Sequence, residues 1–341
     1  MAATEKPMQD LRSRLLEGHV IPACPLPLTS GGKWSEQHQR ALVRYYSEAG
    51  AGGLAVGVHS TQFEIRDPEH GLFEPVLELV AGELPDSMVK IAGICGETKQ
   101  ALAEVEFALG CGYQAGLLSM KALGNRPEAD VLDHCRLVAH AIPIIGFYLQ
   151  PAVGGRVFSY RFWREFAEIE NVAAIKLAPF DRYLTLDVVR AVGDSGREDI
   201  ALYTGNDDNI ISDLVTTFPG GQRIVGGLLG QWGVWTKRAV ETLDRIKALP
   251  DDQIPAELLT ENAILTEGNA AVFDAANGFG GCIPGIMEVL RRTGLTPSNR
   301  CLNPEETLSP GQAEELDRIA ETYPHLNDDA FIAENLDRWL G

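Results

Sequence analysis

In the segment 171–179 (NVAAIKLAP) one lysine, Lys176, stands inside an otherwise apolar, β-prone run. An amine that attacks a ketone must be neutral, and burial beside Ile175 and Leu177 disfavours the ammonium form. Lys176 is therefore the candidate imine-forming residue. The competing reading is a lysine whose head leaves a strand end to pair with a carboxylate. Two other run ends carry suitable chemistry: Tyr148 within 146–151 (GFYLQP), and the turn at the end of 56–61 (VGVHST). A tyrosine beside a Schiff-base lysine can move protons to and from the carbinolamine, while the amides of a turn such as His59-Ser60-Thr61 can hold a carboxylate. Taken singly, Tyr148 is equally a strand-end aromatic, and Ser60 with Thr61 equally a turn that only leaves a strand. Lys121 is a rival amine after a less regular run and lacks a tyrosine at matching spacing.

Apolar runs that would position these residues recur along the chain at 19–28, 53–58, 89–95, 115–120, 143–150, 172–178, 200–204 and 223–229. Most lack polar alternation, which suits parallel strands covered on both faces. Helical patterns fill the gaps. Ser35 is placed to cap a helix from Glu36, residues 97–109 show apolar spacing of three to four, and glycines close several segments. Eight βα units over residues 1–250 predict a (β/α)8 TIM barrel, an α/β fold, and no Gly-rich phosphate loop follows the first run as a doubly wound sheet would favour. After a polar stretch with Pro250 and Pro255, residues 251–341 read as a C-terminal helical extension, with helices over 256–277, 283–293, 311–323 and 328–340. In such a barrel the chemistry lies at the C-terminal strand ends, where Lys176, Tyr148 and the turn after Val56 can converge.

Composition narrows the function. The 341 residues carry 29 Lys+Arg against 48 Asp+Glu, a formal charge of −19, which disfavours nucleic acid and anionic membrane surfaces as partners. No uninterrupted apolar run reaches the roughly 20 residues of a membrane span, and the start lacks a basic segment followed by an apolar core, so a cytoplasmic location is expected. The 6 cysteines form no CxxC pair and are expected to be small buried residues, with neither a metal site nor a cofactor signalled.

Four features together resemble the dihydrodipicolinate synthase and N-acetylneuraminate lyase family of pyruvate-dependent class I aldolases. They are Pro25-Leu26-Pro27-Leu28-Thr29, the Val56-Gly57 pair, Tyr148-x-x-Pro151, and Lys176 after a hydrophobic triplet, with Tyr148 preceding Lys176 by 176 − 148 = 28 residues. Segment 203–208 (YTGNDD) resembles the family's glycine-plus-acid motif, and 279–290 its C-terminal supporting helix. The resemblance implies a Schiff base between Lys176 and a 2-oxo acid such as pyruvate, with Tyr148 as proton shuttle. Gly57 with Ser60 and Thr61 would position the carboxylate, and Gly205, Asp207 and Asp208 would contact substrate hydroxyls, although Asp207 and Asp208 are equally placed to cap a helix over 209–217. A homo-oligomer, dimer or tetramer, is implied as well.

The departures are specific. Val58-His59 replaces the usual hydroxyl pair, so the relay to the tyrosine is broken. His59 is then the candidate substitute acid or base, with an ionisation expected near 6.5, or else a structural histidine. The arginine that dihydrodipicolinate synthases carry just after Tyr-x-x-Pro is absent, with Val153 near its place and Arg156 three positions on. Lysine synthesis is thereby disfavoured. A lyase or aldolase, a related hydratase-aldolase or dehydratase, and a non-catalytic metabolite-binding relative remain as readings.

Overall fold

The computed structural model describes residues 2–250 and 253–341. Eight strands are present among the described residues: β1 (Val20–Pro22), β2 (Gly53–Val56), β3 (Val89–Ile94), β4 (Ala115–Leu118), β5 (Ile144–Leu149), β6 (Val172–Ala178), β7 (Ala201–Thr204) and β8 (Ile224–Leu229). All pair in parallel in the order β1-β8-β7-β6-β5-β4-β3-β2, and a parallel bridge between Ala23 and Ala55 brings the two edges together. The expected barrel is the observed one. The largest overreach of the sequence reading is the first run: β1 stops at Pro22 because Pro22, Pro25 and Pro27 lack the N–H that a ladder needs.

The helices are α1 (Ala2–Leu16), α2 (Glu36–Ala49), α3 (Phe73–Glu83), α4 (Thr98–Gly110), α5 (Glu128–Ala141), α6 (Tyr160–Ala167), α7 (Arg182–Ser195), α8 (Ile210–Val215), α9 (Thr236–Lys247), α10 (Glu257–Val272), α11 (Cys282–Arg292), α12 (Gln312–Thr322) and α13 (Asp329–Leu340). Among the described residues, no helix is long and apolar enough to cross a membrane. Ser35 takes the N-cap position of α2 with extended backbone, but its hydroxyl bonds His38 Nδ1 at 2.8 Å and caps nothing.

Strand alternation divides the apolar residues into an inner set and an outer set. The inner set includes Ile21, Ala55, Ile91, Leu117, Ile145, Phe147, Ala174 and Leu228; the outer set packs between sheet and helices. Helix α1, absent from the sequence reading, contributes Met8, Leu11 and Leu15 to the inner set, and the Tyr203 hydroxyl donates to the Leu15 carbonyl at 2.7 Å. Each such buried side chain contributes about 1.5–3 kcal/mol relative to exposure. This helix closes the end of the barrel opposite the candidate lysine, since β7 runs from Ala201 near α1 toward Thr204 and the Gly205 turn.

The extension shares the barrel's outer core: Leu258, Val272, Phe273, Ile286, Leu316, Ile332 and Trp339 belong to the same buried cluster as residues of α2 and α9. A buried aspartate ties the two regions. Asp328 accepts from the Lys237 and Arg238 amides at 2.7 and 3.1 Å, capping α9, and from the Tyr45 hydroxyl at 2.6 Å. Of the cysteines, Cys24, Cys135 and Cys301 are buried, and Cys95, Cys111 and Cys282 only partly so; all 6 are free thiols.

Candidate active site

Residue alternation along β6 turns Lys176 inward, between the outward-facing Ile175 and Leu177. Lys176 is 8% exposed, and its Nζ lies 4.4 Å from the centroid of the Phe147 ring on the neighbouring strand. Room for the lysine stem comes from Gly205: a Cβ there would stand 2.7 Å from Lys176 Cε and 2.8 Å from Ala178 Cβ. Beyond it, Asp207 faces the same cavity and is fixed by the Gln231 amide, which donates to Oδ1 at 3.4 Å, and by Asn269 Nδ2 of α10, which donates to its carbonyl at 2.6 Å.

Burial pulls the Lys176 amine down to about 8, with the Asp207 charge pulling the other way. The same burial pushes the Asp207 carboxyl up to about 7, opposed by the Lys176 cation and the Gln231 amide. Burial thus raises the neutral fraction of the amine and of the neighbouring carboxyl together, and carbinolamine formation and dehydration draw on both.

His59 opens a single turn of 3-10 helix, His59–Thr61, after β2, and lines the cavity together with Ser60 and Val58. Burial, followed by the charges of Lys176 and Lys121, drives its imidazole down to about 4. That direction runs against the expected ionisation near 6.5, since burial favours the neutral imidazole. Thr61 is wholly buried and its hydroxyl is committed, accepting from the Gly57 and Val58 amides at 3.0 and 3.2 Å and donating to the Cys24 carbonyl at 2.7 Å. Gly57 has φ +75°, a left-handed conformation that favours glycine and lets the chain turn out of β2. Gly57 and Thr61 therefore build the turn, and the residues it presents to the cavity are Val58, His59 and Ser60.

Tyr148 does not join the group. Register pairs Phe147 with Lys176 and Tyr148 with Leu177, so the tyrosine faces the outer layer, against Phe158 and Trp163 of the α6 region with ring centroids 6.2 and 4.9 Å away. Its hydroxyl accepts from the Phe158 amide at 3.4 Å, and burial pushes its pKa up to about 12. With a side-chain period of two, one position along a strand exchanges the barrel interior for the helix layer. The interior position beside the lysine is a phenylalanine, so no phenol stands there to shuttle protons.

Asp208 is exposed and does not line the cavity; α8 begins after Asn209, and neither Asp207 nor Asp208 caps it. Lys121 is exposed on a turn after β4, with Nζ 5.7 Å from the Phe63 ring, and lies outside this cavity. Arg156 donates to the Gly124 and Arg126 carbonyls at 3.1 and 2.7 Å and stacks on Phe158 at 4.8 Å. Sequence reading missed Phe147, Leu149, Gln150, Phe180 and Phe273 of the wall, while Phe279 and Ile286 belong to the segment expected to support the site. Cys282 also faces the cavity, but burial and the Asp207 charge raise its thiol pKa, which keeps it protonated. A larger cavity between α8, α9 and α10 contains neither lysine nor cysteine. The trio Asp67, Glu69 and His70, whose ligand atoms lie within 4.8 Å of one another, is largely exposed and does not line the lysine's cavity.

No family model matches the chain. A 4-hydroxy-tetrahydrodipicolinate synthase of Cyanothece sp. is 26% identical over 219 residues, covering 62% of this chain and 71% of the relative. Among solved structures, dihydrodipicolinate synthase from Oceanobacillus iheyensis superposes with a TM-score of 0.74 at 17% identity, covering 93% of this chain and 99% of the other. N-acetylneuraminate lyase from Fusobacterium nucleatum complexed with pyruvate gives 0.70 at 18% identity, covering 90% and 97%. The barrel fold and the sequence similarity together make the chain a divergent relative, by resemblance, of the dihydrodipicolinate synthases and N-acetylneuraminate lyases, whose fold it shares.

Proposed function

We propose that this protein is a class I lyase or aldolase that forms a Schiff base between Lys176 and pyruvate or a related 2-oxo acid. The observation that carries the reading is the buried Lys176 amine, held well below the ordinary lysine value next to an elevated Asp207. The neutral amine attacks the C2 ketone. Asp207 donates the proton that lets the carbinolamine hydroxyl leave as water, then accepts one from C3 as the enamine forms. Ser60 and His59 line the cavity beside the lysine and would be the groups that hold the carboxylate. The related lyase solved with pyruvate supports the choice of 2-oxo acid. Lysine synthesis is disfavoured, because no arginine lines the cavity and Arg156 is occupied with backbone carbonyls. The acidic, soluble composition supports a cytoplasmic enzyme without polyanionic partners, and the family resemblance supports a homo-oligomer.

Sodium borohydride with pyruvate should fix a stable adduct on Lys176, found by intact mass and peptide mapping, and Lys176→Ala should remove it. An adduct on Lys121, or an undiminished yield in Lys176→Ala, overturns the assignment. Because the tyrosine faces away from the site, a metabolite-binding relative without turnover is the second reading. It predicts trapping without cleavage of any 4-hydroxy-2-oxo acid.

A further inference from the structure

The cavity between α8, α9 and α10 spans about 370 Å³, within the range of small-molecule sites, and no step proposed for Lys176 uses it. Much of its wall is apolar, with Ile210, Leu214, Trp232, Trp235, Ala239 and Leu265. Trp232 and Trp235 are 2% and 6% exposed, and the Trp235 ring lies against α10 at Gly268, where a Cβ would stand 3.4 Å from Trp235 Cη2. Gln231, in the single turn of 3-10 helix after β8, faces the same cavity. It is 2% exposed, and its side-chain oxygen Oε1 has no hydrogen-bond partner among the described residues. A buried acceptor left without a donor is unfavourable, and a ligand N–H or O–H that reaches it removes that penalty.

The charged lining residues already have partners. Arg238 Nη1 lies 2.8 Å from Glu241 Oε2, Arg245 is paired with Glu261, and His325 is exposed, edge-on to the Tyr323 ring. A ligand carboxylate or ammonium would break one of these pairs or be desolvated without one. The two indole rings favour a flat ring through offset and edge-to-face contact. Gln231 and α10 also hold Asp207. The Gln231 amide donates to Asp207 Oδ1 at 3.4 Å, and Asn269, one helical turn beyond Leu265, donates to the Asp207 carbonyl at 2.6 Å. Asp207 lines the lysine's cavity and Gln231 lines this one, so a single hydrogen bond links the walls of the two.

We propose that this cavity is an effector site for an uncharged planar molecule with one N–H or O–H donor, which docks against Trp232 and Trp235, donates to Gln231 Oε1, and is felt at Asp207 and Lys176. The site is distinct from the 2-oxo acid chemistry and does not depend on the Schiff-base reading. Fixing Gln231 shortens the long donation of its amide to Asp207, which favours the carboxylate. A charged Asp207 in turn favours the ammonium form of Lys176. Occupancy of the cavity therefore lowers the reactivity of the amine, a coupling between two separate sites.

The test titrates indole, 1-methylindole and indole-3-acetate into the whole protein by calorimetry. Indole should bind with a Kd of about 1 mM or tighter. 1-Methylindole, which lacks the donor, and indole-3-acetate, which adds a carboxylate, should each bind about tenfold more weakly. Ala239→Leu and Leu265→Phe fill the cavity from different helices and should each weaken indole by about tenfold or more. A thermal melt shows whether each variant folds, and the three probes decide without either. No saturable binding of indole, equal or tighter binding of either analogue, or full affinity in a folded filling variant overturns the proposal. Coupling is read without pyruvate, as the rate at which acetic anhydride acetylates Lys176, followed by peptide mapping. Saturating indole should slow it about fivefold and leave Lys121 unchanged. An unchanged or faster rate at Lys176, or a fall shared by Lys121, also overturns the proposal. Failure of borohydride trapping with pyruvate, by contrast, strikes the Schiff-base reading alone.

Discussion

Phe147 and Lys176 occupy paired positions on adjacent parallel strands, and the lysine ammonium position lies 4.4 Å from the centre of the phenyl ring. The family tyrosine suggested by Tyr-x-x-Pro sits one residue later and on the other side of the sheet. Tyr148→Phe should accordingly change turnover by less than about threefold, where removal of a proton-shuttling group typically costs 10²–10⁴. Its single long hydrogen bond from the Phe158 amide should contribute about 1 kcal/mol or less to stability. Steady-state rates and a thermal melt check both, and a 100-fold loss of rate would show the phenol acting at the site.

Gly205→Ala introduces a Cβ into space occupied by Lys176 Cε and Ala178 Cβ. The lysine must move, and the rate of borohydride trapping should fall about 100-fold, the scale associated with misplacing a reacting group by about 1 Å. Destabilisation by overpacking should be about 1–3 kcal/mol, measurable by urea denaturation. Normal trapping kinetics in this variant would show that the lysine reaches substrate from another rotamer.

Asp207→Asn removes the negative charge that holds the Lys176 pKa up. Its sign is definite: the amine pKa falls further, so the rise of trapping rate with pH should shift toward lower pH. Carbon–carbon cleavage should slow by about 10²–10⁴, as a general acid–base group is lost. A pH profile for trapping identical to the parent would show that the two groups do not sense each other.

His59 is neutral in the fold, its pKa depressed from 6.5 to about 4. Stability associated with that neutral ring is present above 6.5 and is lost as pH falls through about 4. At 1.4 kcal/mol per unit, wild type should lose up to about 3 kcal/mol relative to His59→Gln between pH 7 and pH 4. Urea midpoints of the two proteins at both pH values provide the measurement, and parallel behaviour would mean that His59 is hydrated.

Much of the barrel was readable because parallel strands covered on both faces produce unbroken apolar runs, as in 172–178, which is β6 residue for residue. Lys176 was readable for the same reason, as a lysine deep inside such a run rather than near its start. The facing of Tyr148 was not. The pairing of β5 with β6 shifts register between Ile144 and Ile145, and no count of residues between two strands reveals such a shift. The α1 plug carried a signal, Met8, Leu11 and Leu15 at helical spacing, that the strand pattern overshadowed. Phe180 and Phe279 lie in loops 99 residues apart (279 − 180), and the meeting of their rings, with centroids 5.8 Å apart, has no local signature.

The amine rides on a barrel strand, whereas Phe273, Phe279, Cys282 and Ile286 reach the same cavity from beyond residue 250. The wall around the amine is consequently drawn from two stretches of the chain, the barrel and the segment after the connection between α9 and α10. Drift or recombination downstream of that connection can retune which molecule is accepted while the lysine, its glycine neighbour and Asp207 are inherited intact. A chimera that exchanges the segment after residue 250 with that of a relative should inherit the relative's acceptor preference along with it.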